Sequence, residues 1–313
     1  MPKALIIGSE GQDGTLLRLL LESKGYIVWR HSRRKKNLTL SENSKHLFFD
    51  LSNSNYDIIE NFITIHKPDE IYYIAAFHHS SQDNKATNLD FIENSIKVNQ
   101  IGFIKILEIC KSHHPSTKII YTSSSLIFSG SNQQIQNEQT TTEPRCIYSV
   151  TKSAAMEAAK YYRESYNLFV SIGIMYNHES MYRNDAFLSK KIINETKKII
   201  NNEIKEIKIG DLSSITDWGY APDYVDAMWH ILQLPSPDVF IISSGKGHKV
   251  QDWFDILFNH LNMDWRRYVV EDPSLITRKK PVLIGDNSKL LSTNWKPKVS
   301  FEEMVLKIYN NVL

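Results

Sequence analysis

Three side chains in this sequence have the types and spacing to move a proton alongside a hydride. Tyr148 and Lys152 are four residues apart, so at the head of a helix both project from one face. A phenol near its free pKa of about 10 is a poor base at neutral pH. An ammonium a few ångströms away favours the phenolate and makes it a better one. Upstream, Ser123-Ser124-Ser125 closes an apolar stretch, and a Ser124 hydroxyl there can hydrogen-bond the substrate oxygen whose proton Tyr148 removes. With 15 tyrosines in the chain, a Tyr-x-x-x-Lys pair alone says little. Ser124 and a glycine turn near the start make the set specific. The expected catalytic residues are Ser124, Tyr148 and Lys152, with Lys152 also holding the ribose hydroxyls of a nicotinamide nucleotide.

That turn reads Gly8-Ser9-Glu10-Gly11-Gln12-Asp13-Gly14, between an apolar strand and a helical pattern. Gly8 allows a tight turn, Gly11 lets the backbone approach a pyrophosphate, and Gly14 lets helix and strand pack closely. At the end of the second strand, an acidic residue would bind a ribose 2′-hydroxyl, whereas arginine accommodates a 2′-phosphate. Here the stretch is Arg30-His31-Ser32-Arg33-Arg34-Lys35-Lys36, which leans towards NADP and leaves NAD open. Asp50-Leu51, after the third strand, sit where an adenine contact belongs.

The elements that must position these groups alternate apolar runs with amphipathic segments, the pattern of a parallel sheet covered by helices. Strands are expected at 4–7, 27–29, 47–49, 71–75, 119–122 and 169–174, and helices at 15–24, 56–66, 90–113 and 148–166. The polar stretch 129–145 reads as a surface loop. Beyond Asn177 the alternation weakens, with helices expected at 186–201, 222–232, 250–261 and 301–311 and strands at 206–210 and 239–243. The fold class is therefore α/β, a Rossmann-type doubly wound parallel sheet with a smaller α/β substrate-binding domain. Residues 1–175 form the cofactor domain, with 217–245 returning to it; 176–216 and 246–313 form the smaller one over the carboxyl edge of the sheet.

Bulk composition is that of a globular protein: 313 residues, 42% hydrophobic and 23% charged, with a net charge of +2. The 37 basic and 35 acidic residues are interspersed, which gives no sign of nucleic-acid binding. No run suits a membrane span or a signal-peptide core, and two cysteines cannot make a disulfide framework, so a reducing cytoplasm is expected. The neighbours His78 and His79 cannot both face one ion from a strand, and no metal site is expected. His79 is read instead as lining a substrate pocket. Cys110 and Cys146 are read as packing residues, and Lys190 or Lys191 as able to meet a diphosphate at the pocket edge.

The chain resembles the extended short-chain dehydrogenases, and within them GDP-mannose 4,6-dehydratase and relatives acting on GDP-linked hexoses or heptoses. The resemblance spans nearly the whole length. It is carried by the glycine turn, Tyr176-Asn177-His178-Glu179-Ser180, the run from Asp217 to Val225, Gly285-Asp286 and Trp295-Lys296-Pro297. It implies that Gly8, Gly11, Gln12, Asp13, Gly14, Arg33, Arg34, Asp50, Leu51, Ala75, Ala76, Lys152, His178 and Arg183 hold the cofactor. It also implies a substrate pocket that includes His79, Ser125, Leu126, Asn177, Glu179 and Lys191, and a homodimer or homotetramer. The family's Glu two residues beyond its catalytic Thr or Ser is Leu126 here, its Gln-Ser-His reads Phe77-His78-His79, and an Arg before the Asp-Trp-Gly run is Thr216. Elimination of water needs a group to take the proton from carbon 5, and Leu126 cannot. The expected reaction is therefore hydride transfer at carbon 4 of a GDP-linked sugar without dehydration. The full 4,6-dehydratase cycle is the alternative, and a non-catalytic NADP-binding sensor comes third.

Overall fold

The computed structural model describes residues 1–33, 44–53, 55–78, 88–276 and 281–313. β1 (Lys3–Ile7) buries every residue after Lys3 and runs through the glycine turn into α1 (Gln12–Ser23), whose Leu16, Leu17 and Leu21 face the core. β2 (Ile27–Ser32), β3 (Ser44–Phe48), α2 (Asp57–His66) and β4 (Glu70–Tyr73) follow. The helix expected over 90–113 is two helices, α3 (Leu89–Ile96) and α4 (Gly102–His113), joined by a π-helical turn at Lys97–Ile101. β5 (Lys118–Ser124) ends in a 3-10 turn at Ser125–Phe128. β6 (Ile135–Gln136) lies in the segment expected to be loop, ahead of α5 (Ile147–Tyr166). β7 (Val170–Met175) is buried at every position, as a central parallel strand requires.

The second half holds β8 (Asn177–Glu179), α6 (Leu188–Ile200), β9 (Ile207–Ile209), β10 (Ile215–Tyr220), α7 (Ala221–Gln233) and β11 (Val239–Ile242). It closes with β12 (Gly247–Lys249), α8 (Val250–His260), β13 (Val269–Glu271), β14 (Ile284–Gly285), α9 (Ser288–Leu291) and α10 (Phe301–Tyr309).

Seven strands form one parallel sheet in the order β11-β7-β5-β4-β1-β2-β3. The chain starts in the middle and winds outward both ways, so the crevice beyond the carboxyl ends of β1 and β4 lies at the topological switch point. Smaller ladders join β8, β10 and β12, β9 with β13, and β6 with β14. One apolar core lies against the large sheet, and a second gathers α6, α8 and α10 around Trp218 and Trp253. Among the described residues no helix is long and apolar enough to cross a membrane.

Candidate active site

The glycine turn is as tight as its spacing suggests. Gly8 has φ +96°, and a Cβ there would meet the Ala75 backbone at 2.6 Å. A Cβ on Gly14 would strike the Ser9 backbone at 2.5 Å, so helix α1 can approach β1 only with glycine at this point. At Gly11 nothing lies within 4 Å of that position, and no side chain caps the first turn of α1. Its N–H groups face an open approach, which suits a pyrophosphate. The residues present therefore fit a dinucleotide.

Beside this turn Asp13 and His178 form a clasp between α1 and β8. The Nε2 of His178 lies 2.9 and 3.0 Å from the Asp13 carboxylate oxygens, and its Nδ1 lies 2.7 Å from the Tyr176 carbonyl. Both partners only accept, so both ring nitrogens donate and the ring is an imidazolium. Burial would pull its pKa down, but the Asp13 carboxylate outweighs burial and raises it. Burial likewise works to raise the Asp13 pKa, and the charge and hydrogen bond of His178 bring it below the usual value. Gln12 completes the clasp, donating to the His178 carbonyl at 3.1 Å and accepting from Ser180 Oγ at 2.8 Å.

The catalytic candidates meet in a cleft of about 590 Å³ that Asp13, Ser124, Leu126, Tyr148, Lys152 and His178 help to line. Ser124 caps the 3-10 turn, its Oγ accepting from Leu126 N at 3.3 Å, and lines the cleft together with Tyr148. Lys152 shares the buried face of α5 with Ala155, Ala159 and Tyr162, the helical period that sets this face on β5. Its Nζ donates to the Thr122 carbonyl at 2.8 Å and sits 5.7 Å from the centre of the Tyr148 ring. Burial drops the Lys152 pKa to about 7. Burial also pushes Tyr148 up to about 12, with the neighbouring Ser124 and the Arg183 charge working the other way. The expectation that Lys152 lowers the Tyr148 pKa is thus not met in the protein alone. The reason is physical: a desolvated lysine near its own neutral form supplies little charge.

The remaining expected residues fall in several places. Ala76, Ser125, Asn177, Glu179 and Arg183 line the cleft, and Ala75 packs on Gly8. Glu179 is buried, accepts from Ser189 Oγ at 2.7 Å, and lies 3.2 Å from Arg183 Nε at an angle that makes an ion pair rather than a hydrogen bond. Asp50 accepts from Ser52 N at 2.9 Å, and the Leu51 carbonyl accepts from Tyr56 OH at 2.7 Å. Lys191 donates to the Lys208 carbonyl at 2.8 Å and is not among the cleft-lining residues. The basic run is only partly a surface feature. β2 continues through Arg30, His31 and Ser32, all buried, and Arg33 is the first exposed residue. Arg34 and His79 lie outside the described residues.

Two residues that the sequence reading missed organise the other wall. Asn99, fully buried in the π-helical turn, accepts from Phe77 N at 2.8 Å and donates to Phe77 O and Thr151 Oγ1, each at 3.1 Å. It thereby ties the exit of β4 to α5. Next along, His78 lines the cleft, its ring centre 4.3 Å from that of Tyr148. An asparagine in mid-helix carries no sequence signal of this kind, and the sequence alone gives no sign that His78 lines the cleft.

A parallel sheet with a glycine turn at its switch point and a Ser-Tyr-Lys set beside it defines an extended short-chain dehydrogenase/reductase. Comparison with known proteins narrows the class. The family model described as GDP-mannose 4,6 dehydratase matches residues 5–308, and the chain belongs to that family. GDP-mannose 4,6 dehydratase 2 of Arabidopsis thaliana is 34% identical, covering 96% of this chain and 84% of the relative. A putative epimerase from Burkholderia cenocepacia J2315 has the same fold, with TM-score 0.84, 18% identity, and 99% and 97% of the two chains covered. So does RMD from Pseudomonas aeruginosa, solved with NADPH, with TM-score 0.80, 16% identity, and 99% of each chain covered. These likenesses side with the dehydratase alternative rather than with the expected reaction confined to carbon 4.

Proposed function

We propose that the chain is a GDP-sugar 4,6-dehydratase that works with NADP and opens its cycle by oxidising carbon 4. The observation that carries the reading is the meeting of Ser124, Tyr148 and Lys152 in one cleft that Asp13 of the glycine turn also lines. The family and its GDP-mannose-named relative support the substrate and the dehydration. When bound, NADP supplies a place to store the hydride and return it. Tyr148 takes the proton of the 4-hydroxyl, and Ser124 steadies that oxygen. Lys152, on the buried face of α5, holds ribose hydroxyls, and its charged form is favoured once an anionic nucleotide is near. His178 and Arg183, each paired with a carboxylate, stand where they can donate to phosphates near the first turn of α1. Arg33, with Arg34 after it, suits a 2′-phosphate.

We read residues 1–175 with 217–245 as the cofactor-binding part and 176–216 with 246–313 as the sugar-binding part, a division that the two apolar cores follow except at a few positions. Trp218 and Tyr220 pack in the second core, while Leu283, Leu290 and Trp295 pack in the first.

One observation favours the narrower reaction, hydride transfer at carbon 4 alone. Leu126 packs against the main core where the family's acid/base stands. Mass spectrometry of the product from GDP-mannose and NADP separates the two, since only the dehydratase loses water to give the 6-deoxy-4-keto sugar. A product that keeps its carbon 6 oxygen would overturn the dehydratase reading. Tyr148→Phe abolishes either reaction, because a general-base loss costs roughly 10²–10⁴ in rate.

A further inference from the structure

Arg30 carries a charge that the fold buries and leaves without a bonded partner. It is only 8% exposed, its Nε is fully buried, and its guanidinium makes no hydrogen bond and no ion pair among the described residues. The buried lysines differ: Lys152 and Lys190 each donate to a backbone carbonyl. Burial, and next the charge of Arg18, pull the Arg30 pKa down, with Glu10 and Glu22 working the other way. A guanidinium keeps its proton in a protein, so the charge stays and its desolvation weighs on stability.

The surroundings give this charge a use. Strand pairing sets Arg30 beside Ile6 of β1 and His46 of β3, and Ser32 ends β2 two residues further on. His46 Nε2 lies 2.8 Å from Ser32 Oγ and 3.8 Å from Glu10 Oε1, so the end of β2 and the glycine turn meet at this point. Arg30 acts electrostatically on His46 and feels Glu10 in return. Arg18 and Glu22 neutralise each other at 2.6 Å. In a dinucleotide fold the end of β2 beside the glycine turn faces the 2′ substituent of the adenine ribose. A 2′-hydroxyl there calls for a carboxylate on the strand end, and this strand ends in Ser32 with a buried cation behind it.

Resting on the NADP reading, we propose that Arg30 selects NADP over NAD, its buried charge attracting the 2′-phosphate from behind Ser32 rather than by direct contact. Arg33 is exposed, and water and salt screen it; Arg30 acts from a medium of lower dielectric, where the same charge reaches further. It also offsets Glu10, whose carboxylate would otherwise repel a phosphate at the glycine turn. The stability that an unpaired buried charge takes from the empty protein returns when the phosphate binds.

The test is calorimetric titration of the full-length protein with NADP and with NAD, together with thermal unfolding in the absence of cofactor. Arg30→Met keeps a long side chain and removes the charge. Its Kd for NADP rises roughly 10–100-fold, while its Kd for NAD stays within about twofold of wild type. Arg30→Lys keeps the charge and holds NADP within about threefold of wild type. Without cofactor, Arg30→Met unfolds no more than about 1 °C below wild type, because the charge it removes had no partner. A larger fall would make Arg30 a structural residue and overturn the assignment. Equal losses for NADP and NAD, or NADP binding that is lost equally in the Met and Lys variants or kept in both, overturn it too and leave the NADP reading intact. A wild-type protein that binds NAD and not NADP overturns both.

Discussion

Replacing Asn99 with alanine tests whether the π-helical turn positions the active site. The substitution removes three hydrogen bonds, two to the Phe77 backbone and one to Thr151. Thr151 Oγ1 keeps its bond to the Tyr148 carbonyl, so the N–H and C=O of Phe77 are the groups left without that partner. An orphaned buried polar group costs roughly 1–3 kcal/mol. Phe77 is only half-buried and water can reach part of it, so the lower end applies to each group, about 2 kcal/mol in all. For chains of 150–250 residues one kcal/mol shifts Tm by roughly 2–4 °C, and a longer chain moves less, so a fall of about 4 °C is expected. The same loosening shifts His78 relative to Tyr148, and misplacement by about 1 Å costs up to roughly 10²-fold in rate. Thermal unfolding by circular dichroism and kcat well below Tm measure the two effects separately. A Tm within about 1 °C of wild type together with an unchanged kcat would refute the positioning role.

Two further outcomes follow from the cofactor wall. Arg33→Ala with Arg34→Ala weakens NADP far more than NAD in calorimetric titration; equal losses would mean that neither arginine meets the 2′-phosphate. The Asp13–His178 clasp makes stability depend on pH. The lowered Asp13 pKa means its contribution is present above about pH 4 and lost as pH falls through the folded value. The raised His178 pKa means its contribution is full below about pH 6.5 and lost as pH rises through the folded value. The Tm gap between wild type and Asp13→Asn is therefore widest between those limits and narrows on both sides. A gap that does not vary with pH would count against the ion pair.

Much of the architecture can be read from hydrophobic period alone, because β1, β5 and β7 bury nearly every side chain and α1, α2 and α5 show a regular apolar face. What escapes is short or polar. β8 is Asn-His-Glu and β10 opens Ile-Thr-Asp, so their strand character comes from pairing with each other rather than from composition. The π-helical turn was invisible since one extra residue in a turn leaves the surrounding pattern almost intact. At the site, Ser124, Tyr148 and Lys152 were legible because their spacing is local to one strand end and one helix. His78 and Asn99 were not, since their partners are distant in sequence. The charge state of Lys152 was also out of reach, being set by how deeply α5 presses it onto β5.

The order of strands has a consequence for how the protein is made. β11 pairs with β7 at one margin of the large sheet, yet the ribosome delivers it only after β8, α6, β9, β10 and α7. At roughly 5–20 residues per second, β7 waits several seconds with one row of backbone N–H and C=O groups unpaired. That row belongs to a strand with no exposed residue and no charge to discourage a neighbour, Val170–Met175. During synthesis it is a template for pairing between nascent chains, and protection by a chaperone until β11 emerges should raise the yield of native protein.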